Sequence, residues 1–201
     1  MTDGVQKIGN GIFKRRQKRK LGLLIDGVGL DRATRRLERK IDLTKFVTSV
    51  CEGLKPEIAR YYTLVPHEDD ARQLAFLDAV EKAGLEVMLK RLPPKGVKRQ
   101  VSMDIHMAVD AMAFANGRSN EIIQRRTPLT TQLSPDIEGE TYSRHLIIVC
   151  PNRELSYSIH VATQLGVKTT LADFGQYGSS DSWQGIDRWV DLSTSETIWR
   201  D

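Results

Sequence analysis

Leu21-Gly22-Leu23-Leu24-Ile25-Asp26-Gly27 decides the fold of this chain. The run from Leu21 to Ile25 is apolar without alternation. Such a run reads as a strand buried on both faces, the pattern of a parallel sheet covered by helices. It ends on a carboxylate, Asp26, at the place where open α/β sheets put their ligands. Gly27 beside it lets the backbone turn sharply and another group approach closely. The plainer alternative is a turn-initiating Asp that bonds its own loop.

Outward from this run, apolar stretches and helical stripes alternate. Further strands are expected over about 57–65, 85–89, 145–150 and 167–172. Residues 30–54 read as helix in two pieces, the second with an apolar stripe of Leu43, Phe46, Val47, Val50 and Leu54. A helix opening near Pro66 points Leu74, Leu77 and Val80 inward and stops at Gly84. In the next, over about 101–115, Ile105, Ala108, Val109, Met112 and Ala113 form the expected buried stripe. A last helix spans about 152–165. This order predicts an α/β fold with a mostly parallel central sheet and helices on both faces.

At 201 residues the chain has room for one domain with a real core. No stretch approaches the ~18 apolar residues that span a bilayer, and no secretory-type run precedes Leu21. Cys51 and Cys150 form no zinc or disulfide pattern and fit buried thiols in a reducing compartment. A cytoplasmic location is therefore expected.

Residues 1–20 carry seven Lys/Arg against one acid, Asp3, a balance of +6. The whole chain is +4, so residues 21–201 carry −2. The basicity is an N-terminal arm, suited to a polyanion such as nucleic acid or simply solvated. Residues 117–143 show no clear period and read as an insertion loop. The extension over 176–201 holds Trp183, Trp189 and Trp199. They are expected to pack it onto the body or onto a second subunit, so a homodimer is one expectation.

Three loops converge at the C-terminal edge of such a sheet. Asp26 follows the first strand, Asp104 opens the helix after the third, and Asn152 and Glu154 follow the fourth. Oxygen ligands of this kind suit Mg²⁺ or Mn²⁺, which keep some waters and bind substrate phosphate. A glycine-rich dinucleotide fingerprint and a P-loop are absent, against dinucleotides and NTPs. Asp110 lies about 9 Å along the helix from Asp104 and about 120° around it, so the two do not readily share one ion. Asp104 is the better ligand; for Asp110 a supporting role, or a bond to the Arg-rich helix, competes with metal contact. Arg32, Arg35, Arg36, Lys95, Lys98, Arg99 and Arg153 could hold an RNA backbone. The alternative for the helix is a solvated face with Glu38 and Asp42 as partners. Tyr61 and Tyr62 read as core, and Cys150 as a small buried residue.

Leu23-Leu24-Ile25-Asp26-Gly27-Val28-Gly29-Leu30 resembles the opening of the NYN domain family, a PIN-like nuclease group, whose usual form is Asp-Gly-x-Asn-Leu. Lys98 to Met112, with Val101-Ser102-Met103-Asp104 and Asp110, is similar to its Lys-Gly-Val-Asp-x-x-Leu-Ala-x-Asp. His145 to Phe174 is similar to its closing unit, an apolar strand leading into Ser-Gly-Asp-Ser-Asp-Phe. Gly29 stands where the family has Asn, and Asn152 and Glu154 stand where it has two Asp. The resemblance covers about residues 21–175 and implies a PIN-like three-layer sandwich with metal-dependent RNA cleavage. Asp26, Asp104 and Asp110 match; Asp26 and Asp104 would hold the metal, with Asn152 and Glu154 completing the catalytic set. The other reading is a degenerate relative that binds RNA or a protein partner without cleaving.

Overall fold

The structure is a computed structural model that describes residues 18–68, 70–117, 142–175, 183 and 185–200. Most of the basic arm and nearly all of the 117–143 insertion lie outside these residues, as does the Gly/Ser stretch of the C-terminal extension.

Six strands are present among the described residues: β1 (Lys18–Asp26), β2 (Ile58–Val65), β3 (Glu86–Arg91), β4 (Tyr142–Val149), β5 (Lys168–Asp173) and β6 (Arg188–Asp191). They form one sheet in the order β3-β2-β1-β4-β5-β6, with every pair parallel. The helices are α1 (Gly27–Arg36), α2 (Leu43–Val50), α3 (Ala71–Lys82), α4 (Asp104–Asn116) and α5 (Ser156–Gln164). A short 3-10 turn, Arg153–Leu155, leads into α5.

The apolar run of β1 divides its side chains by the two-residue period of a strand. Leu23 and Ile25 enter one core with Leu30 of α1, Phe46 of α2, Tyr61 of β2 and Val80 of α3. Leu24 enters the other with Tyr62 of β2, Met107 and Phe114 of α4 and Ile159 of α5. The result is an α/β/α three-layer sandwich of PIN-like type. Aspartates start three of the helices: Asp26, Asp42 and Asp70 accept backbone N–H bonds at α1, α2 and α3.

Two local expectations are corrected, and the C-terminal extension proves to add a strand. The helix after β2 opens at Ala71 behind the Asp70 cap rather than at Pro66, and Leu74 is exposed. On α4, Ile105 and Val109 face solvent, while Met103, Met107, Ala111 and Phe114 are buried. That inward stripe is nearly opposite the one the apolar pattern suggested. The buried face also carries Asp110, which meets Arg60 and Tyr62 of the sheet. Residues 188–191, part of the expected extension, form the edge strand β6. Trp199 is buried in the same chain, 5.7 Å from Phe174 between ring centroids, with the Arg39 guanidinium 4.1 Å above it. Its packing therefore gives no support to a dimer.

Candidate active site

The chain winds outward from β1 in one direction to β3 and in the other to β6, so the reversal lies between β1 and β4. Open α/β sheets form a crevice at the C-terminal end of such a pair. A cleft of about 610 Å³ opens here, lined by Asp26, Asp104, Asn152 and Glu154 together with Arg32, Arg36 and Arg153.

Asp26 closes β1 and caps α1. Its Oδ1 accepts from the N–H groups of Val28 at 3.0 Å and Gly29 at 3.1 Å. Oδ2 makes no hydrogen bond among the described residues, which leaves it for a ligand in the cleft. Asp26 thus bonds its own loop and also lines the cleft. Burial pushes its carboxyl up to about 6, against the pull of the Gly29 and Val28 N–H groups. The charge of Asp104 raises it further, and Arg32 opposes that rise.

The two glycines beside Asp26 serve close packing. A Cβ on Gly27 would lie 2.4 Å from the Tyr61 ring, so the group approaching Gly27 is this side chain. A Cβ on Gly29 would lie 2.3 Å from the backbone oxygen of Cys150. The family's Asn therefore has no room here, because the loop after β4 occupies its place. Cys150 adopts φ +49, an uncommon conformation for a side-chain-bearing residue, at the point where that loop turns. Gly29→Asn is expected to destabilise the protein by about 1–3 kcal/mol, as overpacking against backbone does; urea denaturation would measure it. An unchanged midpoint would mean that the loop moves aside freely.

Asp104 is the first residue of α4, and its Oδ2 accepts from Asn152 Nδ2 at 3.2 Å. A second aspartate at Asn152 would repel Asp104 here; the amide binds it instead. Glu154 stands exposed on the 3-10 turn with no ion-pair partner among the described residues. Asp110 does not line the cleft. It is buried, accepting from Arg60 Nη1 at 2.7 Å and from the Tyr62 hydroxyl at 2.6 Å. Its partner is thus an arginine of β2, not the Arg-rich α1.

The basic residues divide. Arg32, Arg36 and Arg153 line the cleft. Arg35 points away, bonds Asp31 at 3.0 Å and lines a separate cavity. Lys95, Lys98 and Arg99 are exposed on the loop between β3 and α4, whose Gln100, Val101 and Ser102 reach the cleft wall.

Asp173 is a cleft residue that sequence reasoning missed. It is fully buried at the end of β5 and accepts from the Phe174 N–H at 2.8 Å. The Cys150 thiol also bonds it; burial first, then the charge of Asp173, push that thiol well above its ordinary value. Cys150 is therefore a protonated, buried thiol, as expected. The sequence carries little signal for Asp173: it closes Lys168-Thr169-Thr170-Leu171-Ala172, of which only the last two are apolar, unlike the continuous run that ends in Asp26.

Among the described residues, no three His, Cys, Asp or Glu side chains come together closely enough to hold an ion by themselves. The donor set fits a less demanding ion. Mg²⁺ often takes one or two carboxylates, several waters and a substrate phosphate. Asp26, with Oδ2 uncommitted, and Asp104, whose charge it feels, match that description.

An α/β/α sandwich with an acidic cleft at the β1/β4 edge defines a protein of the PIN-like class. The family model described as NYN domain matches residues 20–123, just over half of the chain, and the chain belongs to the NYN domain family. The matched span includes Asp26, Asp104 and Asp110 and ends before the Asn152 loop. A search of curated proteins gives no match. Among solved structures, a protein of unknown function from Vibrio parahaemolyticus is similar, with 17% identity and a TM-score of 0.66. The alignment covers 92% of this chain and 98% of that one, and it bears on the fold alone. Membership of the family suggests a nuclease-like function related to RNA. Among the described residues, no helix is long and apolar enough to cross a membrane.

Proposed function

We propose that this chain hydrolyses RNA phosphodiester bonds with one Mg²⁺ or Mn²⁺ held by Asp26 and Asp104. The observation that carries the reading is the Oδ2 oxygen of Asp26, largely buried, uncommitted and within the field of Asp104. When bound, the ion supplies positive charge to the scissile phosphate and acidifies water. Arg32, Arg36 and Arg153 orient flanking phosphates, a contact that does not read sequence. Glu154 is exposed in the cleft and takes up a proton there. The basic arm over residues 1–20 adds salt-sensitive affinity for the strand.

A second reading rests on the bond from Asn152 to Asp104. That bond satisfies Asp104 without a cation, as a protein that binds RNA but does not cleave it would need. Incubation of single-stranded and hairpin RNAs with Mn²⁺, Mg²⁺ or EDTA separates the two. Metal-dependent cleavage that Asp104→Asn removes supports hydrolysis. RNA retained in a gel shift but left intact supports the second reading. Asn152→Asp would then be expected to tighten Mn²⁺ binding by roughly tenfold, as changes around a metal ligand often do. Calorimetric titration would detect this, and unchanged affinity would remove Asn152 from the ligand set.

A further inference from the structure

On the opposite side of α1 from the cleft lies a second and larger cavity, of about 860 Å³, bounded by α1, α3 and the connection into α2. It falls within the usual size range of small-molecule sites. Leu30, Tyr61 and Phe76 give it an apolar, partly aromatic wall. Phe76 is 40% exposed and meets Tyr61 edge-on at 5.9 Å, so part of its ring remains uncovered. At the rim, the Arg200 N–H donates to the Lys40 carbonyl at 2.8 Å, which holds these two residues side by side. Neither cation has an ion-pair partner among the described residues, and Arg39 beside them lies over the Trp199 ring. The acids of the cavity are largely committed. Asp31 is bonded by Arg35 and Asp42 caps α2, leaving Glu38 against three cations.

We infer that this cavity binds a nucleoside phosphate, with the base against Phe76 and the phosphate at Lys40 and Arg200. An exposed aromatic ring accepts any base by stacking. Two neighbouring cations with no other partner favour a phosphate. A long acyl chain suits the cavity less, because Asp31, Thr34 and Glu38 interrupt its apolar wall. The site does not depend on the cleft chemistry, since α1 separates the two. The nucleotide can be free or part of an RNA strand that crosses α1 from the cleft.

The test is calorimetric titration with AMP. Wild type is compared with Lys40→Glu/Arg200→Glu, with Phe76→Ala and with a cleft variant, Arg32→Glu/Arg36→Glu. Lys40 and Arg200 are exposed, so the double variant should melt like wild type. The expected result is AMP binding that weakens by at least roughly tenfold in the double variant, more than fivefold or so in Phe76→Ala, and not at all in the cleft variant. No AMP binding in the millimolar range, or binding that survives Lys40→Glu/Arg200→Glu, overturns the inference. So does AMP binding that is lost only in the cleft variant. A single-stranded RNA oligonucleotide separates the two sources. If its affinity falls with the double variant, the site holds a strand nucleotide; if it is unchanged, the site holds a free one. RNA cleavage by the same proteins reports on the cleft separately, so either site can fail without the other.

Discussion

Asp26→Asn is expected to abolish RNA cleavage and, at the same time, to raise the melting temperature of the EDTA-treated protein at pH 8. Both effects come from one carboxylate at the end of β1. Its charge is needed to hold a cation, yet burial makes that charge costly when no cation is present, and its carboxyl titrates near 6 rather than at 3.8. A raised carboxyl favours the neutral form in the folded state. Stability from this group is therefore full below the unfolded value and is lost as pH rises through 6. A shift of this size corresponds to about 2–3 kcal/mol, or roughly 5–10 °C for a chain of this length. Asparagine keeps an oxygen for the Val28 and Gly29 N–H groups and never ionises. The gain should thus be near zero at pH 4 and reach a plateau above pH 7. Mn²⁺ should stabilise wild type at pH 8 and leave the variant unmoved. Cleavage should fall by at least about 100-fold. A variant no more stable than wild type at pH 8 would mean that Asp26 is better solvated than its burial implies. Cleavage that survives the substitution would place the chemistry elsewhere.

The same residue shows why so much was legible. A continuous apolar run and a terminal Asp are local signals, and together they fix a buried parallel strand and a carboxylate at its ligand-binding end. The convergence of Asp26, Asp104, Asn152 and Glu154 on one cleft followed from strand–helix alternation and the handedness of crossovers. What stayed hidden depends on partners distant in sequence. Asp173 follows only two apolar residues, Leu171 and Ala172, and its burial against the Cys150 loop is a tertiary fact. The collision that excludes a side chain at Gly29 is set by a carbonyl 121 positions away. β6 has four residues at a sheet edge, too few for a periodic signal. The apolar pattern of α4 points Ile105 and Val109 inward, yet both face solvent. Hydrophobicity is a one-way rule, and a large apolar residue in solvent breaks nothing. A buried arginine without a carboxylate does.

That arginine makes Asp110→Ala the most destabilising change expected here, at about 3–5 kcal/mol. Arg60 is 3% exposed in the middle of the sheet. It donates to Asp110 Oδ1 at 2.7 Å and to Glu86 Oε2 at 2.9 Å, while the Tyr62 hydroxyl donates to Asp110 Oδ2 at 2.6 Å. Alanine at 110 leaves the buried guanidinium with Glu86 as its one charged partner and removes the acceptor of the Tyr62 hydroxyl in the second core. Urea denaturation would show the loss. Replacing the whole polar group behaves differently, because well-packed apolar residues can match or exceed a buried ion pair in stability. Arg60→Met/Asp110→Leu/Tyr62→Phe is therefore expected to recover most of what Asp110→Ala loses. It would also separate stability from geometry. The pair to Arg60 joins the Asp110 side of α4 to the sheet, and Asp104 lies on the first turn of the same helix, bonded to Asn152 across the cleft. If the ion pair fixes that rotation, the triple variant should fold stably yet bind Mn²⁺ more weakly than wild type. If Met107, Ala111 and Phe114 suffice to orient the helix, Mn²⁺ affinity should be unchanged.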